Sequence, residues 1–393
     1  MKARSRVAWA MAGSLVVLLL VFYRLLASGP VVPDYQGKTL YEWAAQLQAA
    51  QQNWSNPNRW QAVESAQKAI RAMGTNALPF VMADVTGRLG PRDRVINWLA
   101  PRVGFLKLKP VNVADRWQRG IAELEAMGSI AKPSLPQLAA LARTSTGYSE
   151  AALLAVGPDA LPWFTNLLAT SKFPQTGNLI GAFANAVFAN RISPEEGAVA
   201  LPDLVRVFQS ADSHGRWYAA SAMGAVHQQP GLCVPLLISG LNDPTPSFRQ
   251  TCVEALGRFG EAASAHAQLL AQAFDSADAN TRRAICGALA SFHSAGTIAV
   301  PVLIRGVQDQ DENVRVWAVI GLGQLGIMPG QSIPALSQAL ADRSPTVRVM
   351  AAQSLGKFGP SATNAIPSLD RACSDTNESV RVTATNALNN IRR

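Results

Sequence analysis

The chain has 393 residues, 48% of them hydrophobic and 16% charged, with a formal net charge of +9. That balance excludes disorder by composition, and the length allows two or three ordinary domains or one long array. The positive charge is local: +3 over residues 1–58, +7 over 59–143 and −1 over 144–393, so any basic surface belongs to the first part of the chain.

Lys2, Arg4 and Arg6 precede Val7–Tyr23, an uncharged apolar run of 17 residues. At about 1.5 Å per residue a helix of that length just spans a bilayer core, and Arg24 can snorkel to its edge. The expectation is an uncleaved, single-pass signal anchor over residues 7–27. A cleaved secretory signal and a buried core helix are the alternatives. Leu25 two residues before Ala27, and Pro30 after Gly29, fit a cleavage site poorly. The cations ahead of the run favour a cytoplasmic segment 1–6 and place everything after Ser28 outside the cytoplasm. Residues 28–58 read as a Pro/Gly linker followed by a juxtamembrane helix, "YQGKTLYEWAAQL".

Residues 59–199 contain weakly repeated helical units such as "AIRAMGTNALPF" (69–80) and "LLAVGPDALPWF" (153–164). An insertion at 84–113 interrupts them. Between Arg88 and Arg119 eight basic residues face only Asp93 and Asp115, with Trp98 and Phe105 interleaved. Such a patch can be a solvated loop, a lipid-headgroup contact or a nucleic-acid track. Outside the cytoplasm a nucleic acid is not the expected partner.

From residue 200 the chain repeats every 33 residues. Pro202, Pro235, Pro301, Pro334 and Pro367 fall in one column, broken only by Gln268. Leu204, Leu237, Leu270, Leu303, Leu336 and Leu369 form an unbroken second, and Arg216, Arg249, Arg282, Arg315, Arg348 and Arg381 an unbroken third. Seven residues after each arginine stands Met223 or a leucine (256, 289, 322, 355, 388). Each unit reads as two helices, the first opening with proline in its first turn and the second ending at glycine. No segment shows convincing strand alternation.

These columns resemble HEAT repeats, specifically over residues 200–393. The resemblance implies an all-α, α-α superhelix, here preceded by one N-terminal transmembrane helix. It also implies that the arginine column pairs with turn aspartates: Asp243, Asp309, Asp342 and Asp375 lie six residues before Arg249, Arg315, Arg348 and Arg381, while Ser210 and Ser276 replace the aspartate in two units. Segment 35–47 is similar to the juxtamembrane opening of some bacterial membrane-tethered HEAT proteins, which implies a periplasmic array. The repeats are also akin to those of bilin lyases, which keeps an enzyme as an alternative.

Candidate chemistry is sparse. "VIGLGQLG" (319–326) carries Gly-x-Gly-x-x-Gly, but these glycines follow a helical run, whereas a phosphate needs the N–H groups of a helix start. Packing and capping explain Gly321, Gly323 and Gly326 better. Cys252, Cys286 and Cys373 occupy columns of small or apolar residues, and no CxxC or His/Glu metal spacing is present. No catalytic, cofactor or metal site is expected. The expected function is a non-catalytic scaffold that binds a protein partner through the inner face formed by second helices. The columns two, five and nine residues past each arginine vary in type there, giving Tyr218, Arg258, Trp317, Ile320, Gln324, Met350, Gln353 and Lys357 as candidate contacts.

Overall fold

The computed structural model describes residues 31–87, 91–101, 110–144, 148–170, 175–210 and 213–393. The run Val7–Tyr23, and with it the expected anchor, lies outside them, as do Arg88, Arg102, Phe105, Lys107 and Lys109 of the basic stretch. Among the described residues no single helix is long and apolar enough to cross a membrane. The chain divides into two compact units, Met1–Ser171 and Lys172–Arg393.

Unit 1 opens with a small antiparallel ribbon, β1 (Asp34–Tyr35) and β2 (Lys38–Thr39), around Gln36 and Gly37, both at positive φ. Sequence patterning misses strands this short. Helix α1 (Leu40–Gln52) starts on a capping box between Thr39 and Glu42, which satisfies two N–H groups at once. It packs on α2 (Arg59–Ala72); α3 (Leu78–Val85), α4 (Pro91–Leu99), α5 (Val113–Met127), α6 (Leu135–Thr144), α7 (Tyr148–Ala155) and α8 (Leu161–Thr170) follow. The basic insertion is therefore partly helical, since α4 falls inside it.

Unit 2 is a stack of helix pairs. After α9 (Gln175–Phe188) and the short α10 (Pro194–Gly197) come α11 (Leu201–Phe208) and α12 (Ser213–Val226), α13 (Pro230–Ser239) and α14 (Pro246–Phe259), then α15 (Ala267–Ala273) and α16 (Ala279–Leu289). Helices α17 (Gly296–Val307) and α18 (Glu312–Leu325), α19 (Pro329–Ala339) and α20 (Pro345–Phe358), and α21 (Ile366–Ala372) and α22 (Glu378–Ile391) complete it. The 33-residue columns map onto this stack. All six leucines from Leu204 to Leu369 are fully buried, as are Met223, Leu289, Leu322 and Leu355. Each such side chain contributes about 1.5–3 kcal/mol of burial.

Pro202 and Pro367 stand in the first turn of their helices, but Pro235, Pro301 and Pro334 stand inside theirs, a correction to the expectation. Helices α13 and α19 begin earlier because Pro230 and Pro329 supply the first turn, each after a non-glycine residue in left-handed conformation, Gln229 and Met328.

Second helices α12, α14, α16, α18, α20 and α22 pack against one another in sequence. Two columns of small residues let them. A Cβ on Gly224, Gly257 or Gly356 would meet the Cα of Ala255, Ala288 or Ala387 at 2.8, 3.0 and 3.2 Å. Gly323 stands equally close to Ser354, whose Cα would lie 2.9 Å from an added Cβ.

Candidate functional site

The arginine near the start of each second helix reaches in two directions. Backwards, its Nη1 donates to carbonyls of its own turn. Arg249 bonds Asp243 and Pro244 (2.9 and 3.0 Å), Arg315 bonds Asp309 and Gln310 (both 3.0 Å), and Arg348 bonds Asp342 and Arg343 (2.9 and 3.4 Å). Forwards, it meets the aspartate of the next unit: Arg216–Asp243 at 3.0 Å, Arg282–Asp309 at 2.7 Å, Arg315–Asp342 at 2.8 Å and Arg348–Asp375 at 2.7 Å. The last three are forked, with Nε and Nη2 on separate carboxylate oxygens, which fixes direction as well as distance.

Each aspartate also accepts the amide two residues on, from Thr245, Asp311, Ser344 and Asn377 at 2.8–2.9 Å. Burial alone pushes the Asp309 carboxyl up, but the Arg282 bonds, the Asp311 amide and the neighbouring guanidinium charges overcome it and leave its pKa lowered. At Asp375 the Arg348 bond is the largest cause and points the same way. The ladder has one rung that the sequence columns miss. With Ser276 in the aspartate column, Arg249 pairs with Asp278 two residues on, at 3.3 Å. Asp278 is also the N-cap of α16, so capping and bridging share one side chain. Arg381 bonds the carbonyls of Asp375 and Thr376 and ends the series. A cleft of about 480 Å³ opens between Asp309, Arg315, Asp342 and Arg343, but the first three are already engaged with one another.

The candidate contact residues lie on the second helices. Arg258, Trp317, Gln324, Gln353 and Lys357 are exposed, and Tyr218, Ile320 and Met350 are half-buried. Tyr218 lies against Gly181 of α9, and Trp317 against Gly287 of α16. Arg258 stacks on Phe188 of α9, its Cζ 4.4 Å from the ring centroid, and Trp217 meets Tyr218 edge-on at 4.8 Å. Phe188 and Trp217 are both exposed, and the three variable columns contain neither.

Family models described as "HEAT repeats" match residues 266–342 and 333–393, and one described as "HEAT repeat" matches 233–263. Residues 233–393 are HEAT repeats. The karyopherin Kap121p, solved with the extreme C-terminus of the protein phosphatase Cdc14p, has a similar fold: 12% identity, TM-score 0.53, covering 90% of this chain and 45% of its own. An archaeal HEAT-like repeats protein from Thermococcus onnurineus NA1 matches at 12% identity and TM-score 0.45 over 58% of this chain and 98% of its own. The CpcE–CpcF complex of phycocyanin lyase from Nostoc sp. PCC7120 matches at 21% and 0.33 over 40% and 98%. No curated protein matches the chain.

Other groups in the HEAT stack are structural. Cys233, Cys252 and Cys286 are buried and unbridged, and burial pushes the thiols of Cys252 and Cys286 up to about 12, far from thiolate reactivity. Cys373 is only half-buried, less enclosed than its column implies. His227 takes the left-handed position that glycine fills elsewhere, and its Nδ1 lies 2.9 Å from the Ala225 carbonyl. Gly326 caps α18 at φ 62°, while Gly321 faces Leu303 and Ala290. The dinucleotide spacing is therefore a packing contact and a helix end. Among the described residues no group of three or more His, Cys, Asp or Glu could hold a metal ion.

Upstream of the matched repeats, unit 1 holds a buried charge cluster. Arg116 donates to the fully buried Asp84 at 2.8 Å and to Asp93 of α4 at 2.7 Å, and Arg119 reaches the second Asp84 oxygen at 2.6 Å. Two cations of the basic patch thus serve packing. One turn on, Glu123 is fully buried and neither carboxylate oxygen has a hydrogen-bond partner. Burial, then the charge of Asp84, push its carboxyl well up.

Proposed function

We propose that this chain is a membrane-anchored, non-catalytic HEAT-repeat scaffold, with the array outside the cytoplasm and a protein partner bound along the second helices. One contrast supports the reading. The core leucine column and the arginine column keep their residue type from unit to unit, while the columns two, five and nine past each arginine change it. Side chains freed from the packing pattern, among them the exposed Trp317 and Arg258, are of the types that anchor interfaces. The karyopherin with this fold was solved with the end of another protein, a partner of the kind such a surface takes.

Crosslinking and pull-down of the full chain from membranes test this, comparing the unaltered protein with Trp317→Ala and Met350→Ala. Loss of one protein from both variants is the expected result. An unchanged set of captured proteins sinks the binding face, and a reporter fused after Arg393 that is active only in the cytoplasm sinks the topology.

A further inference from the structure

The turn between α1 and α2 and the first turn of α2 carry the most exposed large hydrophobic side chains among the described helical residues, Trp54 at 79% and Trp60 at 70%. They are not loose. The Arg59 guanidinium lies between them, its Cζ 3.9 Å from the Trp54 ring and 4.2 Å from that of Trp60, and it is only 9% exposed itself. The two indoles are held by a shared cation and still present most of their surface outward. A preorganised pair loses little side-chain freedom when something covers it.

We propose that this tryptophan–arginine–tryptophan platform seats unit 1 in the headgroup region of the bilayer that holds the anchor. The inference rests on the anchor reading.

Three observations select lipid as the occupant. Indole rings favour the membrane–water interface, where the ring is apolar and its N–H stays wet. Across residues 43–63 Arg59 is the one charged residue, so the turn itself carries no carboxylate, with Glu42 and Glu64 on the helices to either side, and its surroundings are Gln, Asn and Ser. The tether is the right length. From the anchor's end at residue 27 to Val31 are four residues, which extend to about 14 Å. Helix α1 with its 13 residues is about 20 Å long, so a tether that short holds unit 1 near the bilayer, with the turn at the far end of α1 within reach of its surface.

The test uses the full chain in vesicles of phosphatidylcholine with a minor share of phosphatidylglycerol, made with and without bromine on the acyl chains close to the headgroup. Bromine quenches indoles that enter the interface. Subtracting the emission of a Trp54→Phe, Trp60→Phe double variant isolates the pair, and both positions are exposed enough for the variant to fold. The expected result is that the pair's emission is blue-shifted and largely lost in brominated vesicles. A pair equally bright in both vesicle types, in protein that survives alkaline carbonate washing, overturns the platform, leaves the anchor standing and turns attention to a protein occupant. Protein stripped by carbonate overturns the anchor and the platform with it.

Discussion

The Arg315 guanidinium makes four directed hydrogen bonds, two to Asp342 and two to the carbonyls of its own turn, with the side chain only 5% exposed. Removing it strands a carboxylate that is itself largely enclosed. Arg315→Ala is therefore expected to cost about 3 kcal/mol, read as a lower urea midpoint. Arg315→Lys recovers little, because an ammonium cannot repeat the fork. Arg381→Ala loses only bonds to backbone carbonyls and is expected to cost about 1 kcal/mol. Equal losses at 315 and 381 would show that the forward rung adds nothing. Glu123 supplies the opposite electrostatic case. Its folded pKa is raised above the ordinary 4.5, so its contribution is full below that value and is lost as pH rises through the folded one. The charges acting on it are Asp84, Arg119 and Arg116. Relative to Glu123→Gln, the unaltered protein is expected to lose thermal stability as pH rises above 4.5 and through the raised folded pKa. Parallel curves for the two proteins contradict a buried, protonated Glu123.

At the scale of the helix, two glycines three residues apart in the same sequence motif have unrelated jobs. Gly323 is small because α18 meets α20 there, and Gly326 is glycine because the chain turns left-handed with open space around it. Gly323→Ala and Gly326→Ala are each expected to cost about 1–3 kcal/mol, the first by overpacking and the second by backbone strain. A second change separates them. Ser354→Gly is expected to relieve Gly323→Ala and to add independently to Gly326→Ala in a double-mutant cycle. The same contrast explains what the sequence makes legible. Packing columns, caps and the arginine ladder are visible because six units can be laid over one another, so every position is seen several times. Asp278 escapes because it reaches the bridging point from the N-cap, two residues off its column. The interior Pro235 and Pro334 escape because Pro230 and Pro329 start their helices a turn early, and Pro301 because its helix already begins at Gly296. In unit 1 the repeated units are too degenerate to line up position by position. Asp84, Arg116 and Glu123 lie on α3 and α5, more than 30 residues apart in part, and only the fold brings Asp84 to Arg116.

For the molecule as a stack, the ladder sets a rule for what can be removed. Each unit of the HEAT region contacts its neighbours along the series, so stability is a sum of unit and interface contributions rather than the property of one closed core. Deleting residues 310–342 joins Asp309 to Arg343 with every column still in register. Arg282 keeps Asp309, and Arg348 then takes the carbonyls at the new junction while keeping Asp375 ahead of it. The shortened chain is expected to unfold in a single cooperative transition, with a smaller dependence on urea because less surface is exposed. Deleting 310–326 removes one helix of the pair. That places the first helix α19 where α18 packed and leaves Arg282–Asp309 without a second helix to continue the ladder, so cooperativity is expected to break at that point. If both deletions unfold alike, the 33-residue period is a feature of sequence alone and the rungs do not hold the stack in register.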